Sequence, residues 1–217
     1  MKSTLFSLLI AGASLASSAA PVTLNFDEFV VPPGRSVDIS TRYTSLGVTF
    51  SNGEVVTGLP ITGSTPPNVL WSDSDGGYTQ PSNPIVAMFN AAQQSVSVTG
   101  LDVGQNGFIL NAYDAVTGGS LVDSVQFIGV GMGDDVFETL TVNGAAIRRV
   151  EFSQIFNIGN GFGDLILFDD FTFLSADVNP VSEPASLALA GLALSALGLA
   201  RRSGPASVES RQRRPQR

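Results

Sequence analysis

The chain has 217 residues, a formal net charge of −8, and neither cysteine nor histidine. This composition excludes disulfide bonds, thiolate catalysis, and the usual zinc and Ser-His chemistry. Between residues 20 and 180 the chain carries four arginines against seventeen acidic residues, a net charge near −13. Such a surface repels nucleic acid, because phosphate binding depends on Lys and Arg. We expect cations, neutral glycans or basic proteins as partners.

The first 20 residues have the composition of a secretory signal peptide. Lys2 provides a positive start, residues 5–15 form an apolar run, and residues 17–20 are the small residues typical of a cleavage site. Pro21 disfavours cleavage directly after Ala20, so cleavage after Ser18 or Ala19 is equally plausible. We expect residues 1–20 to form a signal helix that is removed on export.

Residues 21–178 predict one all-β domain. Short stretches of alternating or β-branched residues recur, and no amphipathic helical pattern interrupts them. The expected strands are residues 22–29, 46–51, 69–71, 85–89, 95–101, 108–114, 121–130, 137–142, 145–152 and 165–174. Turns are expected at Asn52-Gly53, at an Ala-Gln segment after residue 89, at Thr117-Gly118-Gly119 and at Asn143-Gly144. The remainder of 54–84 reads as loops, and the whole pattern favours an antiparallel β-sandwich with jelly-roll topology.

Two acidic pairs lie at the ends of this domain. Asp27-Glu28 belongs to the first predicted strand, and Asp169-Asp170 interrupts the last. The first and last strands of a jelly roll often lie side by side, which would bring the four carboxylates together. Alternation places Glu28 and Asp170 on apolar faces, where a buried charge needs a partner. That partner can be a calcium ion, which takes about six to eight oxygen ligands, or the hydrogen-bond donors at the end of a loop.

Two shorter acidic motifs are weaker calcium candidates. Asp73-Ser74-Asp75-Gly76 contains part of a calcium loop but has no distal glutamate at the required spacing. Asp134-Asp135 has the same character. Ordinary turn chemistry explains both motifs equally well.

Trp71 and Tyr78 are candidates for binding a glycan. Both lie in the loop-rich region, and Trp71 is the only tryptophan of the chain. Exposed aromatic rings can stack on sugar rings, but Trp71 could instead close one end of the sandwich, because an aromatic side chain buries a large area. Paired carboxylates can hydrolyse glycosides, yet no spacing in this sequence selects two of them. We therefore expect a protein that is not an enzyme.

The segment of residues 179–202 has a composition of its own. Glu183 and Pro184 come first, an apolar run follows at 187–200, and Arg201 and Arg202 end it. The run spans roughly 21 Å as a helix, short of the ~30 Å hydrocarbon core, so a buried core helix is the alternative to a short transmembrane helix. Arginines behind such a helix hold that end on the cytoplasmic side. Residues 203–217 form a basic tail that we expect to be disordered.

This segment resembles the PEP-CTERM sorting signal of exported Gram-negative bacterial proteins. The resemblance rests on Val181, the Glu183-Pro184-Ala185-Ser186 stretch, the small-and-leucine helix and the two arginines; Ser182 stands where the family has its first proline. The chain also continues for fifteen residues beyond Arg202. The resemblance implies a membrane-embedded exosortase as a processing partner, transient anchoring in the inner membrane, and an association with exopolysaccharide or biofilm. The same segment is also labelled an ice-binding protein C-terminal domain, which names the tail and not an activity.

The stretches that open and close the domain, TLNFDEF and LILFDDFTF, are similar to those of bacterial jelly-roll modules that resemble carbohydrate-binding domains. The leading hypothesis is therefore an exported structural or interaction protein of the cell envelope or extracellular matrix. The alternative is a calcium-assisted, lectin-like module that binds carbohydrate. Ice binding is disfavoured, because the sequence has no Thr-x-Thr ladder.

Overall fold

The computed structural model describes residues 19–57, 61–72, 81–133, 135–156 and 165–176. All of them lie in one compact unit, Ala19–Val178. Several predicted features lie outside the described residues: the signal peptide, the sorting segment with Ser182, Glu183, Pro184, Arg201 and Arg202, and the candidates Asp73, Asp75, Tyr78 and Asp134. Within the described part of the chain, no helix is long and apolar enough to cross a membrane.

The described residues form ten strands that pair antiparallel, which confirms the prediction of an all-β, antiparallel fold. The strands are β1 (Val22–Leu24), β2 (Ser36–Asp38), β3 (Val48–Ser51), β4 (Gly53–Thr57), β5 (Asn68–Ser72), β6 (Ile85–Leu101), β7 (Phe108–Tyr113), β8 (Leu121–Phe127), β9 (Phe137–Gln154) and β10 (Leu167–Ser175). The helical content of this part of the chain is a single 3-10 turn, Thr44–Leu46. The expected hairpin at Thr117-Gly118-Gly119 is confirmed, since β7 and β8 pair across it.

Two strands are much longer than the sequence predicted. β6 continues through the expected Ala-Gln turn, and β9 continues through Asn143-Gly144. The two strands pair with each other along their whole length, with register shifts between Met88 and Gln93 and between Gln93 and Ser95. The two predicted turns are therefore wrong. Their turn-forming residues are accommodated as irregularities within one continuing ladder, which bend the strands without ending them.

The bends divide the pairing into two layers. Sheet A contains β3, the first half of β6, the second half of β9, β7 and β8. Sheet B contains β2, β4, β5, β10, the second half of β6 and the first half of β9. β1 also pairs with β10, so the first and last strands lie side by side as expected.

The two layers share one aromatic core. The rings of Phe152 in sheet A and Phe168 in sheet B have centroids 4.8 Å apart, and those of Phe50 in sheet A and Phe171 in sheet B are 5.2 Å apart. Full burial of each such side chain contributes about 1.5–3 kcal/mol. This face-to-face packing agrees with a β-sandwich. The jelly-roll topology stays a prediction.

Asn52-Gly53 forms a corner between the sheets, and the predicted hairpin at this place is wrong. β3 pairs with β6, whereas β4 pairs with β2 and β5. Asn52 has the left-handed φ of 60° that favours this dipeptide in turns, and its Nδ2 donates to Asn83 Oδ1 at 2.6 Å. The conformation of Asn52 is thus the one expected for a turn. The strands on either side of it pair with other strands and not with each other, because the packing of the core determines which strands are neighbours.

Candidate functional site

Three carboxylates lie close together where β1 and β10 are neighbours. Asp169 has no exposed surface, and its Oδ2 accepts hydrogen bonds from the backbone N–H of Thr65 at 2.7 Å and the Thr65 hydroxyl at 3.0 Å. Its Oδ1 accepts from the N–H of Asp170 at 2.8 Å. Asp27 accepts from the backbone N–H of Asn68 at 3.1 Å. The charge of Asp27 acts on Asp170, and that of Asp170 acts on Asp169, so the three carboxylates are electrostatic neighbours. The joint site of four carboxylates, with Glu28, stays a prediction.

Glu28 does not take the buried position that alternation predicted. β1 ends at Leu24, and Phe26 has a left-handed φ of 62°, so the alternation stops before Glu28 and leaves it exposed. Its carboxylate lies instead near the buried phenol of Tyr43. Burial raises the pKa of Tyr43, and the charges of Glu28 and Asp27 raise that pKa further.

The buried member of the second acidic pair is Asp169, and the prediction that Asp170 would share the apolar face is wrong. A register shift between Asp169 and Thr172 allows both Phe168 and Phe171 to face the core. Asp170 occupies the irregularity, with a φ of 48°, and is half-buried. An extra residue in one strand reverses the alternation beyond it, which the sequence pattern alone does not reveal.

Burial changes the acidity of this pair. It raises the pKa of Asp169 to about 6, although the hydrogen bonds from Thr65 and Asp170 act in the opposite direction. Burial also raises the pKa of Asp170, with a further contribution from the charge of Asp27. Asp169 therefore keeps its proton to a higher pH than an ordinary aspartate does.

Calcium binding at this cluster stays a prediction. Among the described residues, no group of three or more acidic side chains is arranged to hold a metal ion. Both oxygens of Asp169 are engaged by N–H and O–H donors, which corresponds to the second solution expected from the sequence, a hydrogen-bonded loop end. Of the weaker calcium candidates, Asp135 lies within the described residues, and its carboxylate accepts a hydrogen bond from the Thr62 hydroxyl.

Trp71 borders an open cleft of about 480 Å³ on sheet B. The cleft is lined by Gly34, Arg35, Ser36, Val56, Thr57 and Trp71. Register brings these residues together, because Ser36 of β2 lies opposite Val56 of β4, and Val56 lies opposite Val69 of β5. The cleft therefore combines an indole ring with two hydroxyl side chains and a guanidinium.

The Trp71 ring is held by an apolar cluster on the outer face of sheet B. The cluster contains Val56, Val69, Leu101 and Leu167, with Ile61, Trp71 and Leu165 packed against it. Val55 and Leu70, which alternate with Val56 and Val69, belong to the main core, so this second cluster lies on the opposite face of the sheet. Trp71 thus packs against a sheet face as well as lining a cleft.

Residues 61–67, which we call the strap, cross this outer face. Ile61 packs on the apolar cluster, and Thr65 donates to Asp169. Thr62 donates to Asp135, and Gly63 lies against the ring of Phe137. The acidic cluster and the Trp71 cleft are therefore linked through one covering segment.

Arg35, Ser36 and Thr57 were missed as cleft residues by the sequence analysis. β2 has only three residues and follows a Pro- and Gly-containing stretch, so no strand pattern was visible there. Arg35 carried the one usable signal, since it is one of four arginines in a strongly acidic domain. Its position beside Trp71 depends on the pairing of β2 with β4, which involves residues distant in the sequence.

Comparisons with known proteins find remote structural likeness and no sequence family. No family model matches the chain, and no curated protein matches it either. The N-terminal CBM22-1–CBM22-2 tandem domain of Paenibacillus barcinonensis Xyn10C is 14% identical with a TM-score of 0.40, over 80% of this chain. This chain spans 50% of the length of that structure. The Stig cyclase Fisc from Fischerella sp. TAU, in complex with an indole compound, is 14% identical with a TM-score of 0.36, over 72% of this chain and 86% of its own length. Both TM-scores are low, so neither likeness indicates a function for this chain.

Proposed function

We propose that this domain is a lectin-like module that binds carbohydrate in the Trp71 cleft. The observation that carries the proposal is the half-buried indole ring of Trp71 beside Ser36, Thr57 and Arg35 in one cleft of about 480 Å³. Small-molecule sites commonly have this size, a mainly apolar lining and a few convergent polar groups. A sugar ring presents an apolar C–H face and a rim of hydroxyl groups, which match the indole and the polar side chains.

Arg35 is the group that would orient the sugar. Within the described residues its guanidinium has no hydrogen-bond or ion-pair partner, so its donors are available to ligand oxygens. The surrounding domain is strongly acidic, which disfavours polyanionic ligands. A neutral glycan therefore fits the cleft better than an acidic one.

The fluorescence of Trp71 provides a direct test, because this residue is the only tryptophan in the chain. Neutral oligosaccharides titrated into the protein are expected to shift or quench its emission in a saturable way. Arg35→Ala should weaken binding between about threefold and tenfold, the effect of one lost hydrogen bond. Arg42→Ala is the matched control, since it removes the same charge from an arginine outside the cleft. An emission spectrum that no neutral glycan changes, or equal effects of the two variants, would contradict the proposal.

We also propose that the protein is exported and sorted to the cell envelope, on the basis of its terminal segments. Support comes from the order of Glu183-Pro184, the apolar run and Arg201-Arg202 at one end, and from the signal-peptide composition at the other. Cell fractionation of the full chain and of a chain truncated after residue 178 tests the sorting role, and identical locations would refute it. Intact-mass measurement of the exported protein identifies both processing sites. The absence of an enzymatic activity remains a prediction.

A further inference from the structure

The outer face of sheet A carries rows of side chains that run across its strands. The register aligns one row of Ser51, Val86, Glu151, Asn111 and Ser124. Their chain neighbours Ala87, Val150 and Ala112 are buried in the core, so alternation turns this row outward. We call this surface the polar face. Its other members are Thr49, Met88, Arg149, Tyr113, Ile109 and Gln126, and Ser153 is buried at its border.

The centre of the polar face is held in position by its own contacts. Arg149 Nε pairs with Glu151 Oε1 at 2.9 Å, and the guanidinium lies 4.2 Å from the ring centroid of Tyr113. Arg149 Nη1 also donates to three carbonyl oxygens of the β7–β8 loop. Ser124 Oγ donates to Asn111 Oδ1 at 2.7 Å, which leaves the amide nitrogen as a donor for a ligand. Side chains positioned in this way lose less conformational entropy on binding.

Two cavities border this face at different positions along β9. One of about 190 Å³ is lined by Asn111, Glu151 and Ser153, with Pro81, Pro84 and Ile155 among its walls. The other, of about 230 Å³, is lined by Thr49, Met88 and Arg148, with Asn90 and Val116 among its walls. From Ser153 in the first lining to Arg148 in the second, β9 advances roughly 16 Å. A ligand that fills both cavities is therefore longer than one sugar ring and passes over Glu151 and Tyr113.

The charges and the polarity of the polar face favour one class of ligand. The two cations of this region are already engaged: Arg149 by Glu151, and Arg148 by donation to the carbonyls of Phe89 and Asn90. A polyanion would therefore find no free cation here and would meet an acidic domain. The central row also lacks the large apolar anchors of a protein interface. Burial raises the pKa of Tyr113, and the charge of Glu151 and a hydrogen bond to its side chain raise that pKa further, so the phenol stays protonated beside the carboxylate.

The geometry points to an uncharged polysaccharide chain as the ligand of the polar face, with Asn111, Glu151 and Tyr113 at its centre. The Glu151 carboxylate accepts hydrogen bonds from sugar hydroxyls, the Asn111 amide donates to them, and the Tyr113 oxygen accepts from them. This surface lies on the opposite side of the sandwich from the Trp71 cleft. The domain would then contact polysaccharide on both sides, and the second contact does not depend on the first.

Affinity electrophoresis of the full chain, through gels containing hydroxyethyl cellulose, dextran or galactomannan, tests this inference. At least one neutral polysaccharide should retard the domain, and Asn111→Ala should reduce its affinity between about threefold and tenfold. Asn143→Ala is the matched control, because this exposed asparagine of β9 lies outside the polar face. Tyr113→Phe removes only the hydroxyl and serves as a second variant that preserves packing. Circular dichroism verifies the folding of each variant.

The outcomes separate this inference from the proposed function. Retardation that Asn111→Ala and Tyr113→Phe weaken, while the Trp71 fluorescence response to short sugars is unchanged, supports the polar face as a second surface. Retardation that only Arg35→Ala weakens overturns the inference and leaves the Trp71 cleft as the glycan site. If no neutral polysaccharide retards the domain, the inference is likewise overturned, whereas the fluorescence titration still decides the function of the cleft.

Discussion

Replacing Asp169 by asparagine is expected to change how the stability of the domain depends on pH. The carboxyl group has no exposed surface, and burial raises its pKa from 3.8 to about 6. The folded state therefore binds a proton more readily than the unfolded state. The resulting stabilisation is fully present below the unfolded-state pKa of 3.8 and is lost as pH rises through about 6. This direction is opposite to that of a carboxylate held in an ion pair.

The magnitude follows from the difference in pKa. About two pKa units correspond to roughly 3 kcal/mol of unfolding free energy between acidic and neutral pH. Asparagine cannot titrate, so Asp169→Asn loses this dependence. It also presents Nδ2 to a position where Asp169 now accepts from Thr65 or from Asp170, which costs about 1 kcal/mol independently of pH. The substitution therefore changes both the free energy of unfolding and its dependence on pH. Only the change in pH dependence tests whether burial raises the pKa of Asp169.

Urea unfolding of both proteins provides the measurement, at several values between about pH 4 and pH 7. The contributions of all other carboxylates largely cancel in the difference between the two proteins. Wild-type stability minus variant stability should fall by roughly 2 kcal/mol as pH rises across this interval, because it begins just above the unfolded-state pKa of 3.8. A difference that is constant, or that increases with pH, would show that the Thr65 and Asp170 hydrogen bonds outweigh the burial of the charge.

Two further predictions concern the strap and the acidic cluster. Gly63→Ala should destabilise the domain by about 1–3 kcal/mol in thermal or urea unfolding, because the new Cβ collides with the Phe137 ring at a φ of +90°. Gly34→Ala, at a φ of +69° with open space around its Cβ position, is the control for backbone strain alone, and equal effects would show that the contact is unimportant. The calcium hypothesis predicts that Ca²⁺ raises the Tm, that a chelator reverses the rise, and that Asp27→Asn reduces it. A Tm that Ca²⁺ leaves unchanged would exclude the hypothesis for this cluster.

The sequence predicted the residues of most strands better than it predicted where strands end. Residues 85–89 and 95–101 were both expected as strands, and both lie in β6, yet the segment between them was expected to turn. A turn-forming sequence does not by itself end a strand, because hydrogen bonding to the neighbouring strand can continue on both sides of it. Pairing with β9 supplies hydrogen bonds on both sides of the irregularity, so the strand bends and goes on.

In the candidate sites, too, some residues were identifiable from the sequence and others only from the pairing of the strands. Trp71 was identified from its rarity and its loop-rich surroundings, but Arg35, Ser36 and Thr57 join it only through the pairing of β2, β4 and β5. The polar face had no sequence signal, because its polar side chains look like the ordinary solvent-facing half of alternating strands. Only the register shows that Glu151, Asn111 and Ser124 lie in one row.

By itself, the sequence determined the all-β class, the acidic charge of the domain, and the exclusion of cysteine and histidine chemistry. These properties follow from composition and from residue alternation, which are local. The tertiary structure decided which carboxylate is buried, how two bent strands join both sheets, and which side chains share a cleft or a face. Those outcomes depend on register and on bulges, because one extra residue in a strand moves every later side chain to the opposite face.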